Sequence, residues 1–283
     1  MRHGENYPII QLCRLLKVSH SGYYEWLTRE ESARGRQSRM LGVEIRAIHQ
    51  QSRQAYGAIR VHRELKKQGK RCSKNRVARL MQEQGIRSTH KRKYRVCTTN
   101  SKHEHPIAEN VIAQDFTATR PNQKWGCDIT YIETREGWLY LAVVLDFYSR
   151  KVVGWAVSES MHATLCSDAL RMALLRRNPP AELVHHSDRG AQYASFEYRS
   201  LLKSCNFTQS MSRKGNCYDN AMVESFMHSL KVECVHQTRY VSRESAAKDV
   251  AGYIECFYNT TRLHSALDYL SPVEYEQKFR LAA

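Results

Sequence analysis

Three acidic residues in this chain have the type and the surroundings that metal-dependent phosphodiester chemistry requires. Asp128 lies within the apolar run 125–132, where an uncompensated carboxylate costs roughly several kcal/mol. Asp188 closes the run 185–188, and 35 residues separate it from Glu224, which belongs to a segment with helical periodicity. Three carboxylates brought together form an oxygen-rich pocket of the kind that Mg²⁺ or Mn²⁺ prefers. The sequence therefore predicts a metal centre at Asp128, Asp188 and Glu224.

The predicted centre suits hydrolysis and transfer of phosphodiesters. Two divalent ions about 3.5–4 Å apart can activate a water or a 3′-hydroxyl and stabilise the leaving oxygen, so no Ser, Cys or His nucleophile is needed. We interpret His185 and His186 as core residues or as neighbours of the metal ligands, not as ligands. Lys231, two turns beyond Glu224, either contacts a phosphate beside the ions or is an ordinary exposed helix lysine.

A polar stripe marks one face of the predicted Glu224 helix. Asn220, Glu224, His228 and Lys231 lie at positions i−4, i, i+4 and i+7, which share a face at about 3.6 residues per turn. By itself such a stripe is typical of a solvated helix face. Together with the two aspartates, it favours a face that looks along an open site.

Two further aspartates are predicted to be structural. Asp146 ends a strand pattern and precedes a turn that its side chain could cap. Asp219 is expected to be the N-cap of the Glu224 helix. Both are therefore left out of the metal site.

The elements that must position the triad are predicted to form a mixed α/β sheet. Three consecutive strand patterns are followed by alternating helices and strands, a succession typical of a mixed sheet covered on both faces. Asp128 falls on the first strand and Asp188 just past the carboxyl end of the fourth, where ligands of α/β sheets gather. Strands are predicted at 124–133, 138–145, 151–157, 183–186 and 208–211, and helices at 162–177, 195–204, 219–238 and 243–259.

The net charge of the chain is concentrated in its first third. The 283 residues carry a formal net charge of +16, and residues 1–105, with 24 basic and 8 acidic side chains, account for all of it. Residues 106–283 contain 20 of each kind. This asymmetry indicates a polyanionic partner for the first third, and the alternative is a solvated basic surface without a partner.

Short helices are predicted before residue 86, with a break at residues 19–22. Two of them, at 58–67 and from an N-cap at Ser73 to Gly85, surround a tight turn and resemble a helix-turn-helix. Any small helical hairpin looks similar. Two interpretations therefore remain: a hairpin that recognises DNA sequence, and an ordinary helical hairpin. The basic side chains on or near its second helix are Lys70, Arg71, Lys74, Arg76 and Arg79.

A polar, basic connector is predicted over residues 87–122. Its charged centre, 90–95, contains Lys91, Arg92 and Lys93, and Pro106 and Pro121 interrupt regular structure. We interpret it as an arm that follows DNA phosphates, with a disordered linker as the alternative.

Cysteine usage and hydropathy indicate a reduced, intracellular setting. The nine cysteines are dispersed, without a C-x-x-C pair or a cluster at zinc-finger spacing, which argues for free thiols and against a structural zinc. No signal peptide and no apolar run of about 20 residues is present. We therefore expect a cytoplasmic protein without a membrane span.

Longer motifs resemble a known family. They include the Trp125-to-Asp128 start of the first strand, and Lys231 falls where the family carries a basic residue. The chain looks like the second-frame (ORF-B) transposases of the bacterial insertion-sequence-three family, whose catalytic domain resembles retroviral integrase. The other matching segments are 146–155, 186–193, 211–221 with Glu224, 258–259, 262–267 and 271–272.

The resemblance implies a ribonuclease-H-like fold in which Asp128, Asp188 and Glu224 form an Asp-Asp-Glu triad that binds two Mg²⁺. It implies cleavage at the ends of an insertion element, followed by attack of the exposed 3′-hydroxyls on another phosphodiester. Implied partners are DNA, further copies of the chain, and the upstream-frame (ORF-A) product, because the chain begins without that product's heptad segment. We expect a helix-turn-helix-like region at 1–86, a connector at 87–122, a catalytic domain at 123–283, and association with the bacterial nucleoid.

Two other functions are compatible with the residues. A ribonuclease H or resolvase-type nuclease would cleave hybrids or junctions without joining strands. A DNA-binding regulator would bind DNA in a salt-sensitive manner after the carboxylates are neutralised.

Overall fold

Five strands form one mixed sheet in the computed structural model, which describes residues 8–89 and 105–282. Their order is β3-β2-β1-β4-β5. The β1–β2 and β2–β3 pairs are antiparallel, whereas β1–β4 and β4–β5 are parallel. The strands are β1 Lys124–Thr134, β2 Gly137–Asp146, β3 Val152–Ser158, β4 Val184–Ser187 and β5 Thr208–Met211. All five predicted strands are confirmed to within two residues at each end.

The sheet is buried on both faces, as the unbroken apolar pattern of β2 predicts. Leu141, Val143 and Leu145 contribute to one core cluster, and Ala142 and Val144 to the other. Because alternate residues of a strand point to opposite faces, these clusters lie on opposite sides of the sheet. The result is a three-layer arrangement with the sheet in the middle.

Helices of the second part cover both faces. These are α6 Ala163–Arg177, α7 Ala191–Ala194, α8 Phe196–Ser204, α9 Ala221–Glu233, α10 Arg243–Gly252 and α11 Pro272–Ala282. Side chains of α6 and α8 lie in the cluster with Ala142, and those of α9 and α10 in the cluster with Leu141. Neither α7 nor α11 was predicted.

Two predicted helix lengths were wrong. The helix expected at 219–238 is α-helical only to Glu233, because Cys234 leaves the helical region (φ −130°, ψ −73°) and a short 3₁₀ turn follows. The helix expected at 243–259 is α-helical to Gly252 and continues as a π-helical segment, Tyr253–Tyr258. Tyr253, Ile254, Phe257 and Tyr258 of this segment are all buried.

The N-terminal part is all-helical. It consists of α1 Ile9–Leu15, α2 His20–Thr28, α3 Ala33–Gln51, α4 Ala58–Lys67 and α5 Lys74–Glu83. The predicted N-cap is confirmed, since the Ser73 hydroxyl accepts a hydrogen bond from the Arg76 amide (3.2 Å). Gly85 ends α5 with a positive φ of 67°. The break predicted at 19–22 was wrong in extent: Ser19 caps α2, which runs on through Gly22.

The helical part packs against the α9 side of the sheet. Ile45, Val61 and Leu65 belong to the same core cluster as α9 and α10. The Tyr56 hydroxyl accepts a hydrogen bond from the Leu263 amide (2.8 Å) and donates one to the Thr261 carbonyl (3.1 Å). The basic run with Lys91, Arg92 and Lys93 lies outside the described residues. Within the ranges that are described, no helix is long and apolar enough to cross a membrane.

Candidate active site

The strand register brings two of the three predicted carboxylates together. Gly126 on β1 lies opposite His186 on β4 in the parallel pair. Asp128 and Asp188 each come two residues later, so they leave neighbouring strands on the same face and at the same level. Both side chains are half-buried, and both line a small cavity of about 20 Å³ together with Gln192.

The charge balance of this cavity favours a bound cation. Burial raises the pKa of Asp128 well above its usual range, and the charges of Asp188 and then Glu224 raise it further. Only the Ile129 amide (2.8 Å) and the more distant Lys231 act in the opposite direction. An additional positive charge would therefore stabilise the ionised form of Asp128.

Asp188 is fixed by its own loop. Its Oδ1 accepts a hydrogen bond from the Gly190 amide (2.9 Å), immediately before α7 begins. This contact holds the carboxylate beside the strand end.

His185 and His186 are core residues, as expected. The Nε2 atom of His185 lies 2.9 Å from both Cys127 Sγ and the Tyr198 hydroxyl. The ring nitrogens of His186 contact Ser210 (2.9 Å) and Ser212 (3.2 Å). Burial lowers the pKa of His185 to about 3 and that of His186 to about 4, so both rings are neutral near pH 7.

Glu224 lies in the first turn of α9, and its side chain is exposed. Its charge raises the pKa of Asp128. Within residues 8–89 and 105–282, however, no three Asp, Glu, His or Cys side chains are close enough to hold one metal ion. The structure thus pairs the two aspartates and leaves Glu224 at the rim.

Two contacts tie α9 to the strand that carries Asp128. Asn220, just before the helix, donates from Nδ2 to the Cys127 carbonyl (3.1 Å). Gly126 lets Val223 approach β1 so closely that a Cβ there would lie 2.7 Å from Val223 Cγ2. Spacing alone places Asn220 in the polar stripe, but its hydrogen bond to Cys127 and its 4% exposure show that it fixes the start of α9 against β1.

Lys231 lies between the helix and β1. Its Nζ is 4.8 Å from the centre of the Tyr131 ring, and burial lowers its pKa while the charge of Asp128 raises it. Lys231 is thus half-buried, near enough to Asp128 for their charges to interact, and is not an ordinary exposed lysine.

The expected cap at Asp219 was wrong. Its carboxylate accepts hydrogen bonds from the Arg213 amide (2.8 Å) and guanidinium (3.0 and 2.9 Å), and from Gln114 (2.9 Å) and Asn110 (3.0 Å). The hydrogen bonds from Arg213 hold its pKa well below the usual range. The N-cap position belongs to Asn220, whose side chain makes no capping hydrogen bond.

Asp146 is a turn residue, as predicted. Its carboxylate accepts hydrogen bonds from the Tyr148 amide (2.9 Å) and the Asn122 amide (2.8 Å) and pairs with Arg177 (3.1 Å).

The predicted DNA contacts on α5 are in different settings. Lys74 and Arg79 are exposed, and Arg79 forms a surface pair with Glu83 at 3.5 Å. Arg76 donates to the Ser38 hydroxyl of α3 (3.0 Å). Lys74 and Arg79 are therefore open to a ligand, whereas Arg76 partly holds the helices together.

Comparison with protein families defines the class of this molecule. Residues 118–217 and 224–279 match two models described as "Integrase core domain", and residues 37–94 match one described as "HTH-like domain". The mixed sheet is accordingly a ribonuclease-H-like integrase core, joined to a helix-turn-helix-like DNA-binding domain.

Whole-chain relatives are more specific. The chain is 46% identical over 279 residues to transposase InsF for insertion sequence IS3A of Escherichia coli (strain K12), which covers 98% of this chain and 96% of that protein. It is 44% identical over 272 residues to the insertion element IS600 uncharacterized 31 kDa protein of Shigella sonnei, covering 96% of this chain and 100% of that protein. The chain belongs to the IS3 family of transposases.

Among solved structures, a chain of the simian T-cell lymphotropic virus intasome in complex with PP2A regulatory subunit B56 gamma is similar at 14% identity. The match has a TM-score of 0.49 and covers 82% of this chain and 74% of that one. At this identity and TM-score the similarity is weak.

Proposed function

We propose that this transposase cleaves the ends of its insertion element and joins the exposed 3′-hydroxyls to a second DNA site, using Asp128, Asp188 and Glu224. The observation that carries the proposal is the pairing of β1 with β4, from which two aspartates emerge side by side. Glu224 lies on the helix that Asn220 ties to β1, and its charge acts on Asp128.

The residues present fit a divalent metal centre. Burial and then the charge of Asp188 raise the pKa of the half-buried Asp128, and a cation would offset both effects. The donors are carboxylate oxygens, which Mg²⁺ and Mn²⁺ prefer. We propose that the three carboxylates hold two Mg²⁺, with Glu224 completing the set when metal and DNA are bound. When bound, the ions would supply activation of the attacking oxygen and stabilisation of the leaving oxygen.

The protein's own groups position the substrate. Lys231 places a cation beside Asp128, where it can contact a non-reacting phosphate oxygen and orient the phosphodiester. The hydrogen bonds from Asn220 to Cys127 and from Gly190 to Asp188 fix the two strand ends before DNA arrives. Such preorganisation lowers the entropy cost of aligning the 3′-hydroxyl with the scissile phosphate.

Recognition of the element is proposed to come from the N-terminal part. The basic side chains Lys74, Arg76 and Arg79 would contact DNA at the helical region 1–86, and Lys91, Arg92 and Lys93 would do so in the connector 87–122, next to the catalytic region 123–283. Paired ends require at least two active sites, so we propose a multimer on DNA, with the ORF-A product as a further partner.

A joining assay tests the proposal. A labelled duplex carrying the terminal repeat of the encoding element is incubated with plasmid DNA and Mg²⁺, in parallel with an RNA–DNA hybrid. We expect labelled strands joined to the plasmid, and no joining when EDTA replaces Mg²⁺. Cleavage of the hybrid without joining would instead favour a ribonuclease H, and DNA binding without any cleavage would favour a regulator.

A further inference from the structure

A basic cavity lies where the helical part meets the integrase core. Its volume is about 400 Å³, and several separate stretches of chain line it. Gly57 and Arg60 come from the helical part, Arg150 from the turn after β2, and Arg262 and His264 from the segment before α11. The cavity therefore exists only when the two parts are packed together.

The cavity carries an excess of positive charge. Glu233 is its one acidic lining residue, and Arg262 already neutralises it through two hydrogen bonds of 2.7 Å. Arg60 and Arg150 form no hydrogen bond or ion pair with any described residue; Arg60 instead lies over the Tyr56 ring at 5.7 Å. Burial and then the charge of Arg262 lower the pKa of Arg60. Like charges gathered in this way destabilise a protein unless an anion joins them.

His264 adds a directed hydrogen-bond donor. Arg262 can only donate, and its guanidinium lies 3.4 Å from Nδ1 of His264, so Nδ1 is the acceptor nitrogen. Burial and the charges of Arg262, Arg150 and Arg60 lower the pKa of His264 to about 2, so the neutral ring carries its proton on Nε2. The backbone carbonyl of Tyr258 acts in the opposite direction, as a hydrogen-bonding group that raises the pKa of the ring. Nε2 is buried and, among the described residues, lacks a hydrogen-bond partner. His264 is 6% exposed, so leaving this donor unpaired is costly.

The neighbourhood of the cavity indicates which anion it takes. Ser225 and Ser229 of α9 line it, and Ser225 directly follows Glu224. Thr89 also lines the cavity, and the sequence continues from it into the basic run 90–93. The cavity thus adjoins both the candidate active site and the DNA-binding part of the chain.

We propose that this cavity binds a backbone phosphate of the DNA. Arg60 and Arg150 pair with the phosphate, and the Nε2–H of His264 donates a hydrogen bond to it. The phosphate neutralises the two unpaired guanidiniums and accepts the unpaired imidazole proton. Because the cavity needs both parts of the chain, the contact couples docking of the helical part to placement of DNA at Glu224. The proposal rests on the proposed function, in that DNA is the substrate.

Salt-dependent DNA binding tests this site. The full chain is prepared as wild type, as Arg60→Gln, as Arg150→Gln and as the double variant. Arg171→Gln serves as a charge-matched control, because Arg171 forms only an exposed pair with Asp168 on α6. Binding of a fluorescein-labelled duplex is measured by anisotropy in EDTA over a range of KCl concentrations, and unfolding temperatures are measured for every variant.

The double variant should lose one phosphate contact. Its slope of log K against log salt should be less steep than the wild-type slope by about 0.9, which corresponds to about fivefold weaker binding near 0.15 M salt. Arg171→Gln should keep the wild-type slope. The unfolding temperature of Arg60→Gln should equal or exceed that of the wild type, because repulsion with Arg262 is removed.

Three outcomes would contradict these expectations in different ways. An unchanged slope in the double variant, with wild-type DNA binding intact, overturns the cavity assignment alone. In the second outcome, inorganic phosphate raises the unfolding temperature of the wild type but not of the double variant, while the salt slope of DNA binding is the same in both. That result shows a site for free phosphate and overturns the assignment to DNA. If the wild type binds no DNA at all, the proposed function itself fails.

Discussion

Gly126 connects the packing of the sheet to the geometry of the candidate active site. It lies two residues before Asp128, and its missing side chain lets α9 approach β1 next to Glu224. A Cβ built on Gly126 would lie 2.6 Å from Phe147 Cζ and 2.7 Å from Val223 Cγ2. We therefore predict that Gly126→Ala impairs joining through displacement of α9, beyond its effect on stability.

The size of the effect follows from these distances. Ordinary contact begins at 3.4 Å, so Val223 must retreat by about 0.7 Å, and Phe147, only 3% exposed, has little room to rotate. Overpacking of this kind costs about 1–3 kcal/mol of the free energy of unfolding. A misplacement of about 1 Å in an active site costs roughly 10²-fold in rate, so we expect joining to fall by about ten- to a hundredfold.

Gly154→Ala is the matched control. A Cβ there would lie 2.7 Å from Ala173 Cβ and would also meet the Ala169 carbonyl, so it strains the β3–α6 contact on the other side of the sheet. It should destabilise the fold at least as much without moving α9. Initial joining rates are compared at a temperature where urea unfolding shows each variant to be folded.

Rescue provides the sharpest check. In Gly126→Ala/Val223→Ala the methyl group nearest the new Cβ is absent, so part of the joining rate should return. If Gly126→Ala joins DNA at the wild-type rate, or Gly154→Ala loses as much as Gly126→Ala, the link between this contact and Glu224 is wrong.

Three further predictions concern the buried charges. Arg177→Ala should cost about 3–5 kcal/mol of the free energy of unfolding by urea, because Asp146 and Glu276 would be left buried together. The exposed Arg171→Ala should cost less than about 1 kcal/mol. Equal losses in the two variants would contradict the role of Arg177 in neutralising this buried pair. The free energy of unfolding should fall by about 2 kcal/mol for each of His185 and His264 between pH 7 and pH 5. The unfolded rings bind protons below a pKa of 6.5, whereas the folded rings do so only near 3 and 2. A His264→Asn variant should therefore lose less stability over this pH range than the wild type, and an equal loss would refute the account. Lys231→Met should make the salt slope of DNA binding less steep by about 1, measured against Lys203→Met on α8; equal slopes in the two variants would rule out a phosphate contact.

Local sequence patterns were sufficient to predict the sheet and the aspartate pair. Alternation and apolar runs indicate the strands, and they place Asp128 on the first strand and Asp188 just past the carboxyl end of the fourth. Asp128 and Asp188 lie side by side because of the strand register, since each comes two residues after the paired positions Gly126 and His186.

Tertiary contacts decided what the sequence did not reveal. Asp219 has the sequence of an N-cap, but Arg213, Gln114 and Asn110 converge on it from two loops. The end of α9 at Cys234 has no Gly or Pro to mark it; there Cys234 contacts Asp249, which also pairs with Arg53 of the helical part. The basic cavity is equally invisible in the sequence, since Arg60, Arg150 and Arg262 are far apart along the chain.

Neutralising the carboxylates in joining assays tests the central claim most directly. Asp188→Asn and Glu224→Gln keep the shape of each side chain and remove its charge, and Glu244→Gln, an exposed site paired with Lys248, is the control. We predict that each triad variant abolishes joining of the labelled terminal repeat while its DNA affinity is retained, and that the double variant loses no more than either single one, because the groups act as a unit. Joining at the wild-type rate in Asp188→Asn or Glu224→Gln would contradict the account.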